Sequence, residues 1–122
     1  MVAGVGFSSG VLAEDIVALV RRVEREAGAV AQVLAAPDFK VDAAALREAA
    51  ERLELPLVFY DWATLEQAQS RCLTRSDIAE TAVGLASVAE ACALAGAGAE
   101  SRLLVPRISR GKATCAFAGA EK

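Results

Sequence analysis

The sequence contains no histidine, and this absence excludes more functions than any other feature of the composition. It excludes Ser-His-Asp and Cys-His catalysis, histidine-ligated metals and the side chain that most often acts as a general base near neutral pH. Any chemistry of this chain would therefore depend on carboxylates, lysine, hydroxyls, thiols or backbone dipoles.

Cysteine is scarce as well, because the chain has only Cys72, Cys92 and Cys115. An odd number of cysteines, spaced twenty or more residues apart, is unlike a disulfide framework or a zinc site. We interpret the three thiols as small apolar side chains of the core and expect no metal and no cofactor.

Long apolar runs are also missing. The chain is 55% hydrophobic, but twenty-eight of those residues are alanine, and no run approaches the roughly 18 apolar residues that a membrane-spanning helix needs. No cationic segment precedes an apolar stretch at the beginning of the sequence. We therefore expect a single cytoplasmic domain over residues 1–122, with no membrane association.

The formal net charge of −3 argues against nucleic-acid binding. The charge is unevenly distributed, because residues 101–120 include no acid and four cations, which are Arg102, Arg107, Arg110 and Lys112. This segment is either a solvated strand face or a rim that faces an anionic ligand.

Apolar patterning predicts strands that alternate with helices. The predicted strands are Val2–Phe7, Ala31–Ala36 and Leu57–Tyr60. Helical periodicity follows the first strand from Leu12 to Ala27, with Gly28 as a stop. A second helix, carrying Ala45, Leu46, Ala49 and Leu53 on one face, is predicted behind the cap Asp42.

The second half of the chain adds two capping boxes and a hairpin. Thr64-x-x-Gln67 predicts a helix to about Cys72, and Ser87-x-x-Glu90 opens an alanine-rich helix. Strands at residues 103–108 and 113–118 are joined by Ser109-Arg110-Gly111, and Pro106 places the first of them at an edge or bulge. The fold class is therefore α/β: three layers, α/β/α, around a mostly parallel mixed sheet of about five strands that ends in an antiparallel hairpin.

The glycine-rich turn after the first strand is the first candidate site. Its spacing from Gly4 through Gly6 to Gly10 is G-x-G-x-x-x-G, which differs from the dinucleotide fingerprint, and no P-loop is present. It is either a tight turn or a ligand-binding turn in which Ser8 and Ser9 lie at the carboxyl end of a strand.

Further candidates follow the other strands. Lys40 comes after the second strand, and Gly84 and Ser87 precede a helix whose N–H groups would suit a carboxylate, although simple capping explains them equally well. Asp61 and Trp62 follow the third strand, where the indole would stack on a flat ligand or, as we favour, cover the core.

Several of these segments resemble the CobE family, which is equivalent to the C-terminal domain of CbiG, over nearly the whole chain. The resemblance is carried by the Gly4-Val-Gly6 turn and by five further segments, 34–40, 53–57, 74–77, 83–91 and 113–118, of which Val83-Gly-Leu-Ala-Ser-Val-Ala-Glu-Ala91 is the most specific. The chain departs from the family where Phe7, Ser8 and Ser9 replace a cysteine and arginines, and where Arg107 replaces a lysine.

The resemblance implies a role in corrin-ring assembly. Our leading hypothesis is an accessory protein of cobalamin biosynthesis that binds a precorrin-type polycarboxylate and positions it rather than transforms it, and whether the domain is an enzyme stays open at this point. The ligand-binding residues expected from the resemblance and from the strand ends are Gly4, Gly6, Ser8, Ser9, Lys40, Gly84, Ser87 and Arg107. Two alternatives remain open. One is a hydrolase that opens the ring lactone and releases acetaldehyde, with Glu90 or Asp61 activating water; the other is an interaction module that docks on other enzymes of the pathway.

Overall fold

Strands and helices alternate along the described chain, as the sequence predicts. The computed structural model describes residues 1–7, 10–38, 44–68, 88–98 and 100–120. In chain order these residues form β1 (Val2–Phe7), α1 (Ala13–Ala27), β2 (Val33–Pro37), α2 (Ala44–Leu53), β3 (Leu57–Tyr60), α3 (Trp62–Ala68), α4 (Val88–Ala97), β4 (Ser101–Arg110) and β5 (Ala113–Ala120).

The strands form one sheet in the order β3-β2-β1-β5-β4. β1 pairs with β2 and β2 with β3 in parallel, whereas β5 is antiparallel to both β1 and β4. β4 therefore runs in the same direction as β1, and β5 alone among these five strands is reversed. The predicted mixed sheet, mostly parallel and ending in a hairpin, is confirmed.

Helices cover both faces of the sheet. On one face, Ile16 of α1 and Leu46 of α2 pack with Phe117 of β5 in one apolar cluster. On the other face, Leu65 of α3 and Leu94 of α4 belong to a second cluster. The three-layer prediction is thus confirmed. In the part of the chain that the structure describes, no helix combines the length and apolar character of a membrane span.

The predicted cap of α3 is wrong. Helix α3 begins at Trp62, two residues before Thr64, because the carboxylate of Asp61 accepts a hydrogen bond from the Thr64 N–H group at 2.9 Å. Aspartate is at least as good an N-cap as threonine, and the two possible helix starts compete at this point. Residues 69–72, the predicted end of this helix, lie outside the described residues.

The hairpin is longer than predicted, because β4 continues to Arg110 and β5 begins at Ala113. These two residues are paired, so the turn consists of Gly111 and Lys112 alone. The prediction for Pro106 is confirmed: β4 is an edge strand, and its pairing with β5 shifts register between Leu103 and Val105 and again between Val105 and Ile108, the interval that contains this proline.

Helix α4 packs unusually close to β1 because Gly4 has no side chain. A Cβ atom added at Gly4 would overlap the carbonyl oxygen of Ala89 and the backbone nitrogen of Ala93, and would lie 2.9 Å from Ala93 Cα. Alanine residues on this face of α4 let the helix backbone approach the strand. Gly4 therefore fixes the height of α4 above the sheet.

Glu90 joins α4 to β4. Its side chain is completely buried, and its Oε2 accepts a hydrogen bond from the backbone N–H of Arg107 at 2.9 Å. A buried carboxylate is costly unless polar partners compensate for the lost hydration. This bond satisfies an amide of the edge strand and holds β4 against α4.

Replacing Gly4 should destabilise the fold strongly. We expect Gly4→Ala to lower the free energy of unfolding by about 3 kcal/mol, because the methyl group would meet backbone atoms that cannot rotate away. Gly28→Ala is the control, since nothing lies within 4 Å of that position and only its φ of 69° causes strain; its cost should be about 1 kcal/mol. Urea unfolding followed by circular dichroism measures both, and equal losses would contradict close packing at Gly4.

Removing the Glu90 carboxylate should also destabilise the protein. Glu90→Ala is expected to cost about 2–4 kcal/mol, because it leaves the Arg107 N–H without this acceptor and opens a cavity. Glu90→Gln keeps an oxygen that can accept the same bond, so it should cost less. Thermal and urea unfolding of the two variants test this order, and wild-type stability for Glu90→Ala would refute the structural role.

Candidate functional site

Four strands end at one edge of the sheet, which we call the carboxyl edge. β1 ends there at Phe7, β2 at Pro37, β3 at Tyr60 and β4 at Arg110. Ligands of open α/β folds bind outside the carboxyl ends of the strands. A ligand-binding residue of this fold is therefore expected at the carboxyl edge.

Gly6 lies at this edge, beside the first described turn of α4. A Cβ atom added at Gly6 would lie 2.8 Å from Thr114 Oγ1, 3.5 Å from Val88 Cβ and 3.6 Å from Ala89 N. The Thr114 hydroxyl donates a hydrogen bond to the Gly6 carbonyl at 3.2 Å. The structure thus brings the end of β1 and the first described turn of α4 together.

Gly4 lies farther from the edge. It is buried in the middle of β1, and the face that a side chain would occupy is filled by the backbone of α4. Its observed contacts are therefore packing contacts, and its predicted role in ligand binding stays a prediction.

The turn between β4 and β5 folds over the beginning of α1. Arg110 Nε donates to Asp15 Oδ1 at 2.9 Å, although the two residues are 95 positions apart in the chain. A Cβ atom added at Gly10 would have Lys112 Nζ as its nearest neighbour, at 3.0 Å. Two cations therefore lie next to the N-terminus of α1.

Within the described residues, no side chain caps the N-terminus of α1. Leu12 occupies the N-cap position with extended backbone angles, and it makes no capping hydrogen bond. The first N–H groups of a helix carry a partial positive charge that attracts anions. Lys112 and these N–H groups are donors at this end of the carboxyl edge, where the carboxylates of Glu14 and Asp15 also lie.

Arg107 lies away from the N-terminus of α1. It lies three residues before the end of β4, is half-buried, and donates its backbone N–H to Glu90. Of the four cations in residues 101–120, Arg110 and Lys112 are the two that reach the carboxyl edge. In the sequence, Arg110 and Lys112 are marked by their positions on either side of Gly111, the glycine of the predicted turn.

Acidic residues lie at the opposite end of the carboxyl edge. Asp38 follows β2, and its N–H donates to the Tyr60 carbonyl at 2.9 Å. Asp61 follows β3, and the hydrogen bond from the Thr64 backbone lowers the pKa of its exposed carboxyl group. Among the described residues, the edge thus carries the carboxylates of Asp38 and Asp61 beside β2 and β3, and the cations Arg110 and Lys112 beside β4 and β5.

Trp62 lies beside Asp61, and its side chain is more exposed than we expected for an indole that covers the core. It keeps 38% of its surface exposed, and its indole N–H donates to Glu66 Oε2 at 3.1 Å, one helical turn away.

Five of the predicted ligand-binding residues lie outside the described residues: Ser8, Ser9, Lys40, Gly84 and Ser87. The same holds for Cys72. Their predicted roles stay predictions.

The two described thiols are buried and are not joined in a disulfide. Cys92 and Cys115 are both fully enclosed, and burial, together with the negative charge of Glu24, raises the pKa of the Cys115 thiol. Their interpretation as apolar core residues is confirmed. Among the described residues, no cluster of thiols and carboxylates is arranged to hold a metal ion.

Three comparisons with known proteins agree. The family described as cobalamin synthesis G C-terminus matches residues 1–118. Protein CobE from Sinorhizobium sp is 37% identical over 122 residues, which cover 98% of this chain and 79% of that protein.

Two solved structures also resemble this chain. The crystal structure of CobE, a protein from the cobalamin (vitamin B12) biosynthetic pathway, has a TM-score of 0.88 at 37% identity, covering 96% of this chain and 87% of CobE. The crystal structure of cobalamin biosynthesis protein chiG from Agrobacterium tumefaciens str. C58 has a TM-score of 0.79 at 39% identity, covering 99% and 98% of the two chains. The chain therefore belongs to the family of CobE and the CbiG C-terminal domain, and it is involved in cobalamin biosynthesis.

Proposed function

We propose that this chain binds a precorrin-type polycarboxylate at the carboxyl edge of the sheet and holds it without transforming it. The observation that carries the proposal is the fold of the β4–β5 turn over α1, with Lys112 Nζ beside Gly10 at the uncapped helix N-terminus. Precursors of the corrin ring carry several carboxylates around a flat macrocycle, so they need cationic and N–H contacts.

The chemistry of this end of the edge suits a carboxylate. An ammonium group and the first N–H groups of a helix both donate hydrogen bonds, and charge-assisted bonds to an ionised acceptor are stronger than neutral ones. The net charge of −3 does not oppose such binding, because association follows the local field more than the total charge.

The charge distribution also orients the ligand. Asp38 and Asp61 would repel carboxylates beside β2 and β3, whereas Lys112 attracts them beside β5 and α1. The carboxylates are therefore expected on the basic side, and the less charged part of the macrocycle on the side of Trp62, whose exposed indole offers an aromatic surface.

Binding is favoured over hydrolysis by the surroundings of both candidate bases. Glu90 is fully buried and its carboxylate already accepts the Arg107 N–H, so it is not open to solvent. Asp61 is exposed, but its lowered pKa makes it a weak base near neutral pH. A role as an interaction module is less favoured, because Ala89–Leu94 of the alanine-rich helix are all buried.

Spectroscopic titration with cobyrinic acid, a corrin polycarboxylate, tests the proposal. We expect a shift of the visible spectrum and a Kd in the micromolar range. Cobinamide, which has the same ring with amides in place of carboxylates, should bind much more weakly. The absence of any spectral change or heat of binding with cobyrinic acid at micromolar concentrations would overturn the proposal.

Lys112→Gln should weaken binding of cobyrinic acid by about fivefold, the effect of losing one partly solvated charged contact. Arg25→Gln is the matched control, because it removes the same charge from an exposed residue in the last turn of α1, at the opposite end of the sheet. Increasing salt should narrow the difference between wild type and Lys112→Gln. Equal affinities for the two variants would remove Lys112 from the site.

The hydrolase alternative has a separate readout. It predicts acetaldehyde release from a lactone-bearing precorrin and loss of that release in Glu90→Gln. Under the binding proposal neither wild type nor variant releases acetaldehyde.

A further inference from the structure

The contacts of Asp15 are unusual for an acidic residue beside a proposed anion site. Its carboxylate keeps only 16% of its side-chain surface exposed and pairs with the guanidinium of Arg110 at 2.9 Å. This ion pair joins the first turn of α1 to the end of β4, the last strand before the turn.

The second oxygen of the same carboxylate lies against the turn itself. A Cβ atom added at Gly111 would lie 2.6 Å from Asp15 Oδ2, and the backbone of Gly111 has a φ of 57°. Glycine is the residue that adopts this conformation without strain, and here it also leaves room for the carboxylate. Asp15 thus touches the turn at two successive residues.

Lys112 is the next residue along the chain. An exposed lysine on a two-residue turn has many conformations, and holding it in one of them costs side-chain entropy. A turn anchored at Arg110 and Gly111 presents Lys112 from a fixed backbone, with its ammonium group beside Gly10.

We propose that Asp15 is a positioning residue for the ligand: it fixes the β4–β5 turn over the N-terminus of α1, so that Lys112 is presented to a carboxylate. This inference rests on the proposed function. Under this proposal, the negatively charged Asp15 strengthens the binding of a negatively charged ligand. It does so indirectly, because its carboxylate holds the turn that presents Lys112.

Direct electrostatics predicts the opposite sign. If Asp15 only contributed its charge, Asp15→Asn would tighten binding, since it removes a repulsive carboxylate and frees Arg110 from its partner. Glu14 supplies the internal comparison, because it is an exposed acid in the same first turn. Both acids stabilise the N-terminus of α1 through the helix dipole, so both substitutions lose that effect.

The experiment compares Asp15→Asn with Glu14→Gln in titrations with cobyrinic acid. We expect Asp15→Asn to weaken binding by about fivefold, close to the effect of Lys112→Gln. Glu14→Gln should leave the affinity unchanged or raise it by up to about twofold. Tighter binding by Asp15→Asn, or equal affinities for the two variants, would overturn the proposal.

A double-mutant cycle separates positioning from a general loss of structure. In the Lys112→Gln background, Asp15→Asn should cause no further weakening, because the lysine that Asp15 positions is gone. A fivefold loss that persists in that background would show that Asp15 acts by another route and would overturn the proposal. Circular dichroism should show the same folded structure for Asp15→Asn and Glu14→Gln, although Asp15→Asn also loses its ion pair with Arg110 and should unfold at a slightly lower urea concentration.

The two proposals fail in different ways. If wild-type protein does not bind cobyrinic acid, the proposed function fails, and the role of Asp15 in ligand binding fails with it. If wild type binds and Asp15→Asn binds like Glu14→Gln, only the role of Asp15 fails. Amide hydrogen exchange in the ligand-free protein adds a direct readout: Asp15→Asn, but not Glu14→Gln, should speed exchange at Gly111 and Lys112.

Discussion

The close contact between Gly4 and the backbone of α4 is the constraint on which the rest of the arrangement depends. Because no side chain separates them, α4 lies directly on the central strand of the sheet. At that height the first described turn of α4 lies beside Gly6 at the carboxyl edge, and Glu90 comes within hydrogen-bonding distance of β4. A helix held farther away by larger side chains would lose both contacts. Packing in the centre of the molecule therefore determines what the edge can present.

The carboxyl edge combines groups that come from both ends of the chain. The end of β1 and the β4–β5 turn lie together there because β5, the one reversed strand among the five described, begins at this edge and pairs with both β1 and β4. The ion pair of Asp15 with Arg110 joins the first turn of α1 to the end of β4. Asp38 and Asp61, which follow β2 and β3, place negative charges at the other end of the carboxyl edge.

Local patterns in the sequence were sufficient for much of the fold. The runs at β1 and β3 and the periodicity of α1 were predictable because each depends on neighbouring residues, and Pro106 indicated an edge strand for the same reason. The start of α3 was not, because Asp61 and Thr64 offer competing caps and the packing of the helix decides between them. The ion pair of Asp15 with Arg110 could not be predicted, because the two residues are 95 positions apart and the contact arises only when β4 pairs with β5.

The bond between Glu90 and the Arg107 amide has a consequence for the outer side of β4. An edge strand exposes unpaired backbone groups to which a strand of another molecule can bind, and this is a common route to aggregation. In β4, Pro106 has no N–H to donate, and the N–H of the next residue is already engaged by a carboxylate of the same chain. Two successive positions of the edge are thereby closed to an incoming strand, and the irregular register around them bends the edge further from the straight geometry that intermolecular pairing requires.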